Sequence, residues 1–277
     1  MQRMSVRGVV VMQKTKNTDP DDMLLEAVNN GSLKAASAAV AAGANVNRHI
    51  KNRTNGLPVT PILSYAIKRK PKIARFLLEH GADPNAKDVC GDTPLHHAIW
   101  YCPGDVTAML IEMGAYVNSR NVHGYTPLCI ALLKRQRKVM SMLATAGADP
   151  NICDNDGNNA LNYSLLRSSP VPEDMFIAVI GMGADVNMPD NKGQTPLMKA
   201  ASMTLVSYMK IIISAGADIK KTDQWGRTAL DILREQAESE TVYRKMYDEL
   251  IQEFPEYKRL VEEDSVNTDR HVPDFDI

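Results

Sequence analysis

The chain has 277 residues, of which 44% are hydrophobic, enough apolar material for a sizeable core in one or two domains. Its 32 basic and 33 acidic residues leave a formal net charge of −1, which argues against a surface that is polyanion-binding or membrane-coating as a whole. The four cysteines, Cys90, Cys102, Cys129 and Cys153, stand 12, 27 and 24 apart. That spacing matches neither a zinc ligand set nor a disulfide framework, and it predicts reduced thiols in a cytoplasmic or nuclear protein.

In chain order, residues 1–18 carry Arg3, Arg7, Lys14 and Lys16 and only "VVVM", Val9 to Met12, as an apolar run. That run is too short for a secretory leader core or a membrane span, and a flexible basic segment is expected. A fixed period follows. Gly-Ala pairs begin at Gly43, Gly81, Gly114, Gly147, Gly183 and Gly216, spaced 38, 33, 33, 36 and 33. Thr-Pro pairs stand at Thr60, Thr93, Thr126 and Thr195, with degenerate starts at Asn159-Ala160 and Thr228-Ala229. From start to glycine is 21 residues, except 24 from Asn159 to Gly183. Counting 21 back from Gly43 puts the first start at Asp22.

One unit explains the period. Thr93 is an N-cap candidate and Pro94 takes the first helical position, where a missing N–H costs nothing. Leu95 and Ala98 begin an apolar stripe that Met109, Leu110 and Met113 continue, and Gly114 supplies a left-handed stop. "AYVNSRNVHGY" then runs extended with its own turn glycine, Gly124. Two loops are longer than the period needs, at "NRHIKNRTNGLPV" and "RSSPVPED". The last unit has Glu249 where the glycine would stand. Its stripe of Tyr243, Met246, Tyr247, Leu250, Ile251 and Phe254 predicts a capping helix. Residues 255–277 are rich in acids and are expected to be largely disordered.

The segments "DVCGDTPLHHAI…LIEMGAYVN", "NVHGYTPLCIAL…MLATAGADPN" and "DNKGQTPLMKAA…IISAGADIK" resemble the ankyrin repeat. The resemblance implies an all-α ankyrin-repeat solenoid of helix-turn-helix units with projecting β-hairpin fingers. About seven repeats fill residues 19–254, including degenerate end caps. It also implies a non-catalytic protein–protein interaction module or adaptor, monomeric alone, that binds a partner protein on its concave face. An inhibitory protein masking a transcription factor and a substrate-recruiting subunit of a ubiquitin ligase stay open as alternatives, because ankyrin arrays serve many pathways.

"CGDTPLHHAIW" gathers a cysteine, an aspartate and two histidines, yet it reads as scaffold. His96 stands where the repeat uses its histidine to close the helix start, and adjacent His97 points about 100° away around the helix. "DNDGNN", Asp154 to Asn159, has its glycine two places early for a calcium loop and reads as a finger turn. No cofactor, metal or catalytic residue is assigned.

Partner-binding candidates come from the exposed ends of first helices, seven and eight residues after each start, and from the finger tips. They are Trp100, Tyr101, Leu133, Lys134, Arg167 and Met203, with His123, Tyr125, Trp225 and Arg227 on the fingers. Ile67 and Lys68 fall on the same ladder. Aromatic residues are only 5% of the chain, so two tryptophans on ladder positions point to an interface. A basic edge is expected from Lys68, Arg69, Lys70 and Lys72, joined two repeats on by Lys134, Arg135, Arg137 and Lys138. It offers a different class of function, binding to nucleic acid or anionic lipid. Single-stranded nucleic acid is disfavoured because no exposed aromatics interleave with these charges in the sequence.

Overall fold

A computed structural model describes residues 19–51, 58–102, 104–165, 170–237, 241–255 and 257–259. The expected N-terminal segment, most of the acidic tail, Arg167 and parts of both long loops lie outside the described residues.

Helices come in pairs because each unit carries two short amphipathic stretches separated by a turn. The pairs are α1 (Pro20–Asn30) with α2 (Leu33–Ala41), α3 (Ile62–Arg69) with α4 (Pro71–Glu79), and α5 (Pro94–Tyr101) with α6 (Asp105–Glu112). They continue with α7 (Pro127–Leu133) and α8 (Arg137–Thr145), α9 (Ala160–Leu165) and α10 (Glu173–Gly181), and α11 (Pro196–Ser202) and α12 (Val206–Ser214). The last pair is α13 (Ala229–Ala237) and α14 (Thr241–Glu253). First helices stack in one row, α1 on α3, α3 on α5, and so on to α11 on α13. Each inner one, α3 to α11, is therefore enclosed by two neighbours and its own second helix. In α5 every residue from Pro94 to Ile99 is buried as a result. The array is an all-α ankyrin solenoid. Among the described residues the fingers are mainly turns, and one pair, β1 (His49–Lys51) with β2 (Pro58–Pro61), forms an antiparallel ladder.

Two helix starts differ from the expected register. The first unit starts at Asp19, not Asp22: the Asp19 side chain accepts from the Asp21 N–H at 3.0 Å and Pro20 opens the helix. Asp-Pro supplies the same cap and first-turn proline as Thr-Pro. The helix it opens is 11 residues long and stops at Gly31, with φ +71°, so a 21-residue count falls short. In the second unit Pro61, not Thr60, is the cap. The Lys70 N–H bonds the Ala66 carbonyl as Cys102 N–H bonds that of Ala98, so Ala66 and Ile67 occupy the places of Ala98 and Ile99. Ile67 is consequently core, 1% exposed, and Lys68 and Arg69 stand where Trp100 and Tyr101 stand one unit later.

The fingers are stitched to one another. Backbone bonds join successive tips, including Val122 N–H to the Cys90 carbonyl (2.9 Å), Asn155 N–H to His123 (3.2 Å) and Asn191 N–H to Asp156 (3.0 Å). Gly124 shows how close they approach. Its φ is +82°, and a Cβ there would lie 2.7 Å from the Asp154 Cα. An asparagine four residues after the glycine stops Gly43, Gly81, Gly114, Gly147 and Gly183 adds a two-point clasp. Asn151 donates from Nδ2 to the Gly183 carbonyl (2.9 Å) and accepts the Asp185 N–H on Oδ1 (2.7 Å). Asn47, Asn85, Asn118 and Asn187 do the same to their next units. Each bond is worth about 1 kcal/mol net. At the far end the expected capping helix is present as α14: Leu250 is fully buried and Tyr257 beyond it closes the core.

Candidate functional site

The surface in question lies along the C-terminal ends of the first helices and the fingers that face them. It rests on a buried polar layer. Five residues before four of the unit starts stands a finger carboxylate whose Oδ1 accepts two backbone N–H groups of its own turn; before Thr126 the amide of Asn121 does the same. Asp88 takes those of Cys90 and Asp92, Asp154 those of Asp156 and Asn158, Asp190 those of Lys192 and Gln194, and Asp223 those of Trp225 and Arg227. The other oxygen takes a side-chain donor: His97 Nε2 (2.9 Å), Tyr163 Oη (2.6 Å), Lys199 Nζ (2.6 Å) or the Arg227 guanidinium (2.9 Å). Lys199 also donates to Asn158 Oδ1 (2.8 Å), which ties the fifth unit to the sixth.

Charge states follow from this burial. Desolvation pushes the His96 and His97 imidazoles below their ordinary value, and for His97 the nearby Lys68 ammonium adds to the effect. Burial and the bond to Asp154 drive the Tyr163 hydroxyl far upward. Burial alone would raise Asp190, but the Lys199 ammonium and the turn N–H groups outweigh it and hold the carboxyl below its ordinary range.

His96 is scaffold in its geometry. The Thr93 N–H donates to His96 Nδ1 (3.1 Å), so the proton sits on Nε2 and is donated to the Tyr125 carbonyl (3.0 Å). Asp88, Asp92 and His97 bring three ligand-type atoms within 4.8 Å of one another. Tyr163 and Lys199 fill the register place of His97 in other units, against the same turn carboxylate. A place that takes histidine, tyrosine or lysine alike is one for a hydrogen-bond donor to that acid.

Above this layer the candidate residues divide into groups. Trp100 and Tyr101 are 39% and 59% exposed at the end of α5. Lys134 Nζ lies 4.0 Å over the Trp100 ring, Lys68 Nζ 5.8 Å from the Tyr101 centroid, and the Arg69 guanidinium 4.7 Å over Tyr65. Leu133 is half-buried beside them. His123 is exposed, whereas Tyr125 is half-buried and packs edge-on against Tyr163. Trp225, 57% exposed, and Arg227 form a separate pair four units from Trp100, and Met203 is half-buried in the sixth unit. Finger residues Val89 and Val122, which precede the third and fourth units, are 64% and 55% exposed. Val122 had no marker in the sequence because its environment is set by the stacked finger.

The basic edge is likewise divided. Lys68, Arg69 and Lys134 belong to the aromatic strip, so exposed rings do interleave with these charges, contrary to the sequence expectation. They interleave across stacked units, where adjacency in sequence gives no sign of it. The Lys70 stem lies over Gly31, at the C-terminal end of α1. Lys72 lines a groove on the second-helix side with Lys34, Arg75 and Phe76. Arg137 pairs with Asp174, Arg135 occupies a left-handed turn with φ 55°, and Lys138 is exposed.

Comparison with known proteins agrees with this architecture. A family model for ankyrin repeats in three copies matches residues 24–121, and one for a single ankyrin repeat matches residues 123–155. An ankyrin repeat protein of fowlpox virus (strain NVSL) is 59% identical over 44 residues, 15% of this chain and 8% of that protein. NF-kappa-B inhibitor alpha of Sus scrofa is 34% identical over 85 residues, 31% of this chain and 27% of that protein. The chain thus covers about a quarter or less of the curated relatives it matches. The crystal structure of the ankyrin repeat domain of Bcl-3, described as a unique member of the IkappaB protein family, superposes with a TM-score of 0.65 at 25% identity. That match covers 77% of this chain and 94% of that one. Among the described residues no helix is long and apolar enough to cross a membrane. The 33-residue period, the stacked helix pairs and these matches have one meaning: residues 24–155 are ankyrin repeats, and the described chain stacks as an ankyrin-repeat solenoid.

Proposed function

We propose that the protein is a non-catalytic adaptor that docks a partner protein on its concave face, centred on the third and fourth units. The observation that carries this reading is the adjacent pair Trp100 and Tyr101, 39% and 59% exposed at the end of a helix whose six preceding residues are all buried. A rigid backbone presenting two large aromatic rings is the arrangement from which interface hot spots are made, because the rings bury area with little conformational entropy lost. Trp225 and Arg227 would serve as a second contact if the partner extends along the array.

Affinity capture from cell lysate with the wild-type chain and a Trp100→Ala/Tyr101→Ala variant tests it. Both side chains lie outside the core, so the variant should keep its far-UV circular dichroism spectrum. Its partners should fall away by about thirtyfold or more in affinity. Identical partners at identical affinity would remove the reading.

A second reading is favoured by the similarity to NF-kappa-B inhibitor alpha and to the Bcl-3 repeat domain. In it the partner is a transcription factor and binding masks it. Its mark would be a captured DNA-binding protein whose DNA complex is displaced by this chain.

A further inference from the structure

We propose that the strip formed by Lys68, Arg69, Trp100, Tyr101 and Lys134 receives an acidic protein segment in which carboxylates alternate with apolar side chains. This deepens the concave-face reading and rests on it. The argument is one of charge left uncompensated. Lys68, Arg69 and Lys134 have an aromatic ring as their neighbour, and among the described residues none of them is within ion-pair distance of a carboxylate. A ring face attracts an ammonium or guanidinium but does not neutralise it.

The remaining aromatic–cation contact among the described residues is built differently. Arg227 lies 5.0 Å from the Trp225 centroid, yet its guanidinium is already bonded to Asp223 and Glu235. The carboxylates nearest the strip are occupied. Asp88 is bound by His97 and two turn N–H groups, and Asp92 accepts from Asn121 Nδ2 at 2.8 Å. Three positive charges therefore face outward with half-exposed indole and phenol rings between them.

The spacing sets what fits. Helices stacked side by side are about 8–10 Å apart, so the backbone positions of Lys68 and Lys134, two units apart, are separated by about 16–20 Å. An extended chain covers that in about six residues at about 3.3 Å each. Acids roughly six residues apart, with an apolar side chain between to pack against the exposed edges of Trp100 and Tyr101, satisfy both the charges and the rings. A single-stranded nucleic acid would need the ring faces for base stacking, and an ammonium already lies over each of them.

The experiment selects from a phage-displayed library of random 16-residue peptides on the immobilised full chain. The recovered peptides are then made with a fluorescein label, and their affinity is measured by polarisation at low and high salt. The panel is wild type, Lys68→Gln/Lys134→Gln and Trp100→Ala/Tyr101→Ala, with a labelled oligo-dT 20-mer as competitor. The expected result is an excess of Asp and Glu over the input library, with interspersed Leu, Phe or Trp. Affinity should fall about tenfold or more on Lys68→Gln/Lys134→Gln, on raising salt, and on replacing the peptide acids by amides.

The proposal is overturned if no peptide is recovered, if recovered peptides lack the acid excess, if the lysine variant binds them unchanged, or if oligo-dT displaces them as well as unlabelled peptide does. Should the aromatic variant lose binding while the lysine variant keeps it, docking on this face stands and the acidic partner fails. If both variants bind unchanged, docking at this strip fails as well.

Discussion

Replacing Lys199 with Met tests the polar layer beneath the candidate face. The side chain is 10% exposed, and its ammonium is held by Asp190 at 2.6 Å and by Asn158 at 2.8 Å. Methionine fills the same space but leaves the Asp190 carboxylate, 8% exposed, without its counter-charge. Breaking a buried pair from one side costs about 3–5 kcal/mol. Two backbone N–H groups still bind Asp190 after the change, so the lower end, about 3 kcal/mol, is expected at pH 7.5. Adding Asp190→Asn removes the stranded charge and keeps an oxygen for the turn N–H groups. The double variant should regain at least about 1 kcal/mol over Lys199→Met. The assay is urea unfolding followed by circular dichroism and by tryptophan fluorescence in a Trp100→Phe background, where Trp225 reports from the adjoining finger. The pH dependence carries a sign. Asp190 is held below its ordinary value in the wild type, so the pair contributes above about pH 4, the unfolded range, and its contribution is lost as pH falls through the depressed value. In Lys199→Met the carboxyl protonates more readily, so the deficit relative to wild type should shrink from pH 7 toward pH 5. A Lys199→Met variant within about 0.5 kcal/mol of wild type at pH 7.5, or a double variant less stable than the single, would refute the reasoning.

Three further outcomes are expected. His96 and His97 are kept neutral by burial, so the unfolded chain takes up protons first as pH falls below about 6.5. Each histidine then costs up to about 1.4 kcal/mol per pH unit until its lowered folded value is reached. His97→Tyr, which copies Tyr163 against its aspartate, should remove its share of that slope in urea midpoints between pH 7.5 and 5.5, and an unchanged slope would count against it. Asn151→Ala opens one clasp and should cost about 1–2 kcal/mol in the same unfolding assay. Lys220→Ala, at the equivalent place in the sixth unit, where no such clasp forms, should cost nothing measurable. Thr204 is β-branched at φ 54°, so Thr204→Gly should raise the urea midpoint by roughly 0.5–1 kcal/mol of stability; a lower midpoint would remove the strain argument.

The seven-unit architecture was legible because two independent markers, the helix start and the glycine stop, keep one register along the chain. Where a marker was replaced by a chemical equivalent, as Asp19-Pro20 replaces Thr-Pro, the count slipped by three residues. The clasp was present in the sequence as asparagine four places after Gly43, Gly81, Gly114, Gly147 and Gly183, changing to Lys220 after Gly216. It was overlooked because a loop asparagine has a sufficient local explanation as a turn former. Contacts such as Lys134 over Trp100, or Lys199 with Asn158 41 residues away, were illegible. They exist only once units stack, and neither partner is marked by its own unit.

That division between local and stacked signals bears on where function sits. Clasps and finger-to-finger bonds recur from unit to unit, so they specify the array and cannot single out one surface of it. The turn carboxylates vary only in their donor, His97, Tyr163, Lys199 or Arg227, and they too serve the scaffold. What does not recur is the exposed end of the first helix. It is cationic at Lys68 and Arg69, aromatic at Trp100 and Tyr101, mixed at Leu133 and Lys134, and polar at Ser202. Fingers bearing exposed Val89 and Val122 fall beside the same units. Large exposed apolar groups are tolerated singly on most proteins, and their convergence marks a contact surface. Here they converge where, among the described residues, the cations lack carboxylate partners, so hydrophobic and electrostatic incompleteness coincide in the second to fourth units. On the proposed reading, a scaffold that satisfies its buried turn acids elsewhere leaves this strip to be completed by another chain.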